Sequence, residues 1–149
     1  MDDSASLERF VKAQNQDSTY QRALSEIQNG RKTSHWIWYV FPQIVGLGIS
    51  DMSVYYGIKN RAEAQAYLAH PVLGPRLHEV AQALLDLPKK DPVAVLGSLD
   101  ALKVCSSMTL FLAIAPKDPI FQSVIDTLYG GQCDKKTLQL LHESDRRSS

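Results

Sequence analysis

Only two of the 149 residues are cysteine, Cys105 and Cys133, too few for a disulfide scaffold. No window reaches the ~18–20 continuous apolar residues that a membrane-spanning helix needs. The opening Met-Asp-Asp-Ser has neither the basic nor the apolar region of a signal peptide. These features predict a cytoplasmic protein with reduced thiols, Cys105 as a small core residue and Cys133 nearer the surface. No basic cluster flanks either thiol except Lys135-Lys136. Net charge is also missing. Sixteen Lys plus Arg balance sixteen Asp plus Glu, so no overall basic field draws in nucleic acid or an anionic membrane. Arg31-Lys32 with two tryptophans leaves only single-strand contacts open.

Catalytic and metal-binding patterns are largely absent as well. His35, His70, His78 and His142 show no metal-ligand spacing, and no zinc pattern involves the two cysteines, so neither a metal nor a cofactor is expected. There is no Gly-x-Ser-x-Gly elbow and no Gly-Lys-Ser/Thr phosphate loop. Gly46-Leu47-Gly48 lacks the third glycine and preceding strand of a dinucleotide fingerprint.

What the chain does have is helical periodicity almost throughout. Leu7, Phe10 and Val11 form an i, i+3, i+4 stripe, and Tyr20, Ala23, Leu24 and Ile27 form a second. Ser18-x-x-Gln21 reads as a capping box for that second helix and Gly30 as its left-handed stop. Trp36 to Phe41 has β propensity but no partner strand in the sequence, so it is expected as a short buried helix, followed by a loop from Gln43 to Ser50. Asn60-x-x-Glu63, Asp91-Pro92 and Asp118-Pro119 mark further helix starts. The stretch from Ser98 to Ala115 is apolar around most of the circle, including Leu99, Leu102, Met108 and Phe111. That is the mark of a buried helix. The prediction is an all-α, single multihelical domain around a central helix at 98–115, with residues 1–5 and 143–149 as frayed tails.

Two segments carry chemistry. Gly30-Arg31-Lys32-Thr33-Ser34-His35-Trp36, running on to Trp38 and Gln43, gathers cations, hydroxyls, an imidazole and indoles within a short stretch. Exposed N–H groups with Arg31 and Lys32 suit an anion such as phosphate, and Trp36 or Trp38 suits a planar base. The competing reading is a basic helix end followed by a core anchor. The second segment is Asp100, Lys103, Ser106 and Ser107. Spacings of three and four put Asp100, Lys103 and Ser107 on one helical face. Its competing reading is a plain ion pair on a surface strip.

Read together, Ser34-His35-Trp36-Ile37-Trp38-Tyr39, Phe41-Pro42-Gln43, His70-Pro71-Val72-Leu73-Gly74 and Ser106-Ser107-Met108-Thr109-Leu110-Phe111 resemble the domain-of-unknown-function family 1810, from about residue 7 to residue 141. The resemblance implies a multihelical domain around a buried central helix and implies no activity. The chain departs from the family pattern near Cys105, where a basic or polar residue is expected. A fainter similarity of the Lys103–Phe111 region to the NADAR N-glycosidases, which act on ADP-ribose-type substrates, carries no residues across.

The functional expectation is a cleft between residues 31–43 and 100–107 that takes a small anionic, nucleotide-like ligand. Arg31, Lys32, Ser34, Trp36, Trp38, Gln43, Ser106 and Ser107 would bind it, with Lys32 on phosphate and Trp36 stacked. His35, Asp100 and Lys103 would be the catalytic candidates if the domain is an enzyme. The alternatives are a non-enzymatic protein-interaction module and a glycosidase of the NADAR type. Burial and convergence of these residues discriminate among the readings.

Overall fold

Helix ends set by local capping divide the described residues into ten α-helices, with one short 3-10 turn at Gln16–Ser18. The computed structural model describes residues 4–148, without the side chains of Ser4, Ala5 and Ser148. The helices are α1 (Ser4–Asn15), α2 (Thr19–Gln28), α3 (Ile37–Val40), α4 (Asp51–Tyr55), α5 (Arg61–Ala69), α6 (Leu73–Asp86), α7 (Pro92–Leu96), α8 (Ser98–Ile114), α9 (Pro119–Tyr129) and α10 (Lys135–Ser148). No strand occurs among the described residues, and the fold is all-α. One isolated bridge joins Ile44 and Ile58, and it pins the loop after α3 beside the end of α4. None of the described helices is long and apolar enough to cross a membrane.

Asp91 accepts from Val93 N and Ala94 N, and Asp118 from Ile120 N, each with proline in the first turn. The proline has no N–H to leave unsatisfied, and the carboxylate takes the orphan donors that follow it. Asn60 Oδ1 accepts from Glu63 N at 2.9 Å, while the Glu63 carboxylate reaches back to Lys59 N at 3.0 Å. His70 Nδ1 plays the same part for α6, accepting from Val72 N and Leu73 N. At the end of α2, Gly30 takes φ +77°. Gly30 N donates to Ile27 O and Arg31 N to Glu26 O, both at 2.9 Å, the paired bonds of a Schellman stop.

The helices meet in one apolar core. A row of rings crosses it: Phe10 of α1 stands edge-on to Tyr67 of α5 with centroids 5.2 Å apart, Tyr67 meets Phe111 of α8, and Phe111 meets Phe121 of α9. Edge and tilted pairs at such spacing add to the burial of each ring. Helices α5 and α6 approach so closely that a Cβ on Gly74 would stand 2.2 Å from Leu68 O.

Three local expectations are corrected. The Ser18 capping box does not form, because Asp17 and Ser18 both take left-handed backbone (φ +52° and +57°) and the Ser18 hydroxyl makes no cap bond. A Ser cap needs extended backbone to aim its oxygen at the helix N–H groups. Helix α8 is buried from Val104 to Phe111, but Leu99 and Leu102 in its first turns are 71% and 67% exposed. The segment from 143 to 148, expected as a frayed tail, continues α10, with Arg61 donating to both Asp145 oxygens. Residues 4 and 5 likewise belong to α1, and the remaining expected tail, residues 1–3 and 149, lies outside the described residues.

Candidate functional site

The segment after α2 gathers N–H donors as its composition suggests, but the anion it holds is internal. Glu26, on the last turn of α2, is 8% exposed. Its Oε1 accepts from Thr33 N (2.7 Å), Ser34 N (3.0 Å) and Trp36 Nε1 (2.9 Å), and its Oε2 from Ser34 Oγ (2.5 Å). Burial alone would raise the Glu26 pKa. The bonds from Ser34, Thr33 and Trp36 outweigh it and hold the carboxyl down at about 2. A backbone cradle that suits an external phosphate is thus filled by a carboxylate four residues before the Gly30 stop.

This overturns the expected roles of three residues. Trp36 is wholly buried with its indole N–H committed to Glu26, so it has no open face for a base. Ser34 is spent on the same carboxylate. The Lys32 side chain is 8% exposed, and its Nζ lies 2.8 Å from Asp100 Oδ2, donates to Ser34 O and sits 5.0 Å from the Trp36 ring. An ammonium so enclosed has no free side for phosphate.

Lys32 does join the two segments. Asp100 lies between two cations, with Oδ2 toward Lys32 and Oδ1 accepting from Lys103 Nζ at 3.2 Å. Lys103 Nζ in turn lies 4.3 Å from the Trp38 ring centroid, within cation–π range. The row Trp36–Lys32–Asp100–Lys103–Trp38 therefore clamps α8 to the α3 region. With both oxygens on ammonium groups, Asp100 is a brace rather than a base.

Beyond Trp38 the surface opens into a cleft of about 260 Å³. One wall is the α8 face of Leu99, Leu102, Lys103 and Ser106. Facing it are Trp38, Gln43 and Ile44, then Leu47 and Gly48, then Ser53, Tyr56 and Gly57. Asp134, just before α10, completes the lining. The isolated bridge holds the Gln43–Ile44 side of the lining, with Ile58 N donating to Gln43 O (2.8 Å) and Val45 N to Ile58 O (2.9 Å). Gly57 permits this approach: a Cβ there would stand 2.7 Å from Val45 Cβ and 2.9 Å from Ser53 O.

Of the expected site residues, the cleft wall includes Trp38, Gln43, Lys103 and Ser106. Arg31 and His35 are exposed and lie off the cleft wall, and the His35 carbonyl accepts from the Tyr39 hydroxyl. Ser107 is buried in the core, its hydroxyl without a partner among the described residues. Sequence reasoning missed Asp134, which stands just before α10. Its Oδ2 accepts from Ser106 Oγ (3.2 Å), Thr137 N (3.0 Å) and Thr137 Oγ1. That leaves Oδ1 without a donor among the described residues. No group of three His, Cys, Asp or Glu suited to a metal occurs among the described residues.

Fold and site together define a class, an all-α single-domain protein with one aromatic- and lysine-edged cleft beside its central helix. Within that class the chain belongs to the family DUF1810, described as a protein of unknown function, which it matches over residues 4–141. It is similar to the conserved hypothetical protein Rv1873 from Mycobacterium tuberculosis, known from a crystal structure. The two are 43% identical over 91% of this chain and 96% of that one, with a TM-score of 0.87. No curated protein matches the chain.

Proposed function

We propose that the cleft beside α8 binds a small planar, anionic, nucleotide-like molecule. The observation that carries this reading is the convergence of five polar side chains, Gln43, Ser53, Lys103, Ser106 and Asp134, on one otherwise apolar and aromatic cleft. Concave apolar sites with a few convergent polar groups are the usual form of small-ligand sites. Trp38 offers a ring surface for a planar group. Gln43 brings an amide to the lining though the residue is only 7% exposed, and its Nε2 bond to Phe41 O is long at 3.5 Å, leaving donor capacity for a heteroaromatic edge. Lys103 supplies the positive charge at the mouth, and Asp134 Oδ1 accepts from a ligand hydroxyl or N–H. If chemistry follows binding, Asp134 is the carboxylate that lines the cleft and Lys103 the group that meets developing negative charge.

The test is a thermal-shift screen against nucleotides, ADP-ribose, sugar phosphates and simple anions, on wild type and the Lys103→Ala, Trp38→Ala and Lys32→Ala variants. A ligand at 100 times its dissociation constant stabilises by ~2.7 kcal/mol. One ligand class should raise the midpoint of wild type, and Lys103→Ala and Trp38→Ala should lose that rise. Lys32→Ala should lower the starting midpoint. No rise for any member of the panel would refute the reading. Release of free base or nicotinamide from ADP-ribose-type substrates would bring the glycosidase alternative forward.

One observation favours the protein-interaction alternative. Leu99 and Leu102, 71% and 67% exposed, lie together along the first turns of α8. Exposed apolar groups that cluster are a common mark of partner sites. A partner retained by wild type and lost on Leu99→Asp, together with a flat ligand screen, would establish it.

A further inference from the structure

The link from α9 to α10 runs along one face of α8. Before the link, the Tyr129 hydroxyl donates to Ala101 O at 2.6 Å. Within it, Cys105 Sγ donates to Gln132 O at 3.4 Å, Ser106 Oγ to Asp134 Oδ2 at 3.2 Å, and Asp134 N to Thr109 Oγ1 at 2.9 Å. Residue 133, the second of the chain's two cysteines, is therefore held between two anchors on the face of α8 that carries the first.

The Gln132 carbonyl oxygen and the Cys133 Cα belong to one planar peptide unit, so the bond to Gln132 O puts the Cys105 sulfur within about 6 Å of the Cys133 Cα. Closing a disulfide requires the two Cα atoms to stand about 4.4–6.8 Å apart, so the adjustment falls on the link rather than on the buried helix. The link between α9 and α10 is non-helical, with Gly130 and Gly131 in left-handed backbone (φ +60° and +79°), so adjusting it strains its bonds to α8 but unwinds no helix. Cys133 is half-buried and reachable, whereas Cys105 is nearly enclosed.

We infer that Cys105 and Cys133 form a reversible dithiol–disulfide pair, closed by peroxide, on the side of the cleft that carries Ser106 and Asp134. Cys133 reacts first because it is the reachable sulfur. Its thiolate attacks the O–O bond of hydrogen peroxide and becomes a sulfenic acid, releasing hydroxide. The Cys105 sulfur, giving up its proton, then displaces hydroxide from the Cys133 sulfur to form the S–S bond. Two thiols and one peroxide give one disulfide and two waters. The burial that raises the Cys105 pKa makes it a slow nucleophile toward solvent peroxide and leaves it as the resolving partner. Each cysteine immediately precedes a cleft residue, Ser106 or Asp134, so closure pulls on the hydrogen bond between them. This inference is independent of what the cleft binds.

The experiment treats the reduced full chain with hydrogen peroxide, alkylates the remaining thiols under denaturing conditions, and reads intact mass and peptide map. The expected product is a monomer lighter by two hydrogens, unalkylated, with the peptides containing Cys105 and Cys133 joined. Dithiothreitol should restore both thiols. The oxidised form should unfold several degrees higher, because the bond closes a long loop in the unfolded chain. Cys133→Ser and Cys105→Ala should each abolish the two-hydrogen loss, and the partly exposed Cys133 site keeps the test valid if Cys105→Ala misfolds. A product that stops at Cys133 sulfinic acid with Cys105 still alkylated, a Cys133-linked dimer, or two unchanged thiols would overturn the inference.

Discussion

Replacing Glu26 by Gln should destabilise the domain by about 3 kcal/mol at neutral pH, and the penalty should fade in acid. Glu26 is 8% exposed, so its interactions are little screened by solvent. Its carboxyl is held down from 4.5 to about 2. At ~1.36 kcal/mol per pH unit that favours the ionised folded form by about 3 kcal/mol. The sign follows from a depressed folded pKa. The contribution is complete above the unfolded value of 4.5 and is lost as pH falls toward about 2. By pH 3 about 1.5 kcal/mol should remain. Gln fills the same space and keeps an oxygen for Thr33 N, Ser34 N and Trp36 Nε1, so the comparison isolates the charge. Urea unfolding of both proteins from pH 7 to pH 3 measures it. The neutral-pH difference corresponds to a midpoint shift of roughly 6–12 °C by heat. Parallel pH curves with a constant or negligible gap would refute the reasoning, because the four bonds to Glu26 would then not favour its ionised form.

Other perturbations probe separate parts of the account. Gly74→Ala drives a Cβ to 2.2 Å from Leu68 O, a backbone atom that cannot swing aside, and should cost about 2–3 kcal/mol in chemical denaturation. Within α8, Leu110→Ala should cost about 2–5 kcal/mol, whereas Leu102→Ala, in the exposed first turns, should stay within about 0.5 kcal/mol. Equal costs would contradict a helix continuously buried only from Val104 to Phe111. Burial would lower the His78 pKa, but its bonds to Gly74 O and Asp118 outweigh that and raise it above 6.5. The resulting stabilisation is complete below the unfolded value and is lost as pH rises through the folded one. Proton NMR should show His78 titrating above 6.5 in wild type and lower in Asp118→Asn.

Much of the fold is legible because many helix ends are local events. Asp91-Pro92, Asp118-Pro119, Asn60 and Gly30 each carry their capping chemistry within three residues. Ser18 misleads because its two-residue left-handed turn depends on how α1 and α2 meet, which no capping pattern records. Leu99 and Leu102 mislead because apolarity all round a helix says nothing about where its neighbours end. The candidate site is half legible for the same reason. Trp38, Gln43, Lys103 and Ser106 lie in the segments that composition marks out. The charge that fills the Ser34–Trp36 cradle comes from Glu26, which reads as an ordinary helix residue, and Asp134 enters the cleft only because the α9–α10 link is stapled to α8.

The two indoles provide the most direct test of the cleft. In a proton–nitrogen correlation spectrum the Trp36 N–H is locked on Glu26, while Trp38 lines the cleft. Trp38→Phe assigns the pair. Titrating nucleoside monophosphates into wild type should move the Trp38 indole resonance to saturation and leave the Trp36 resonance in place. Movement of neither resonance, or of both through the backbone without saturation, would contradict a nucleotide-like ligand in the cleft.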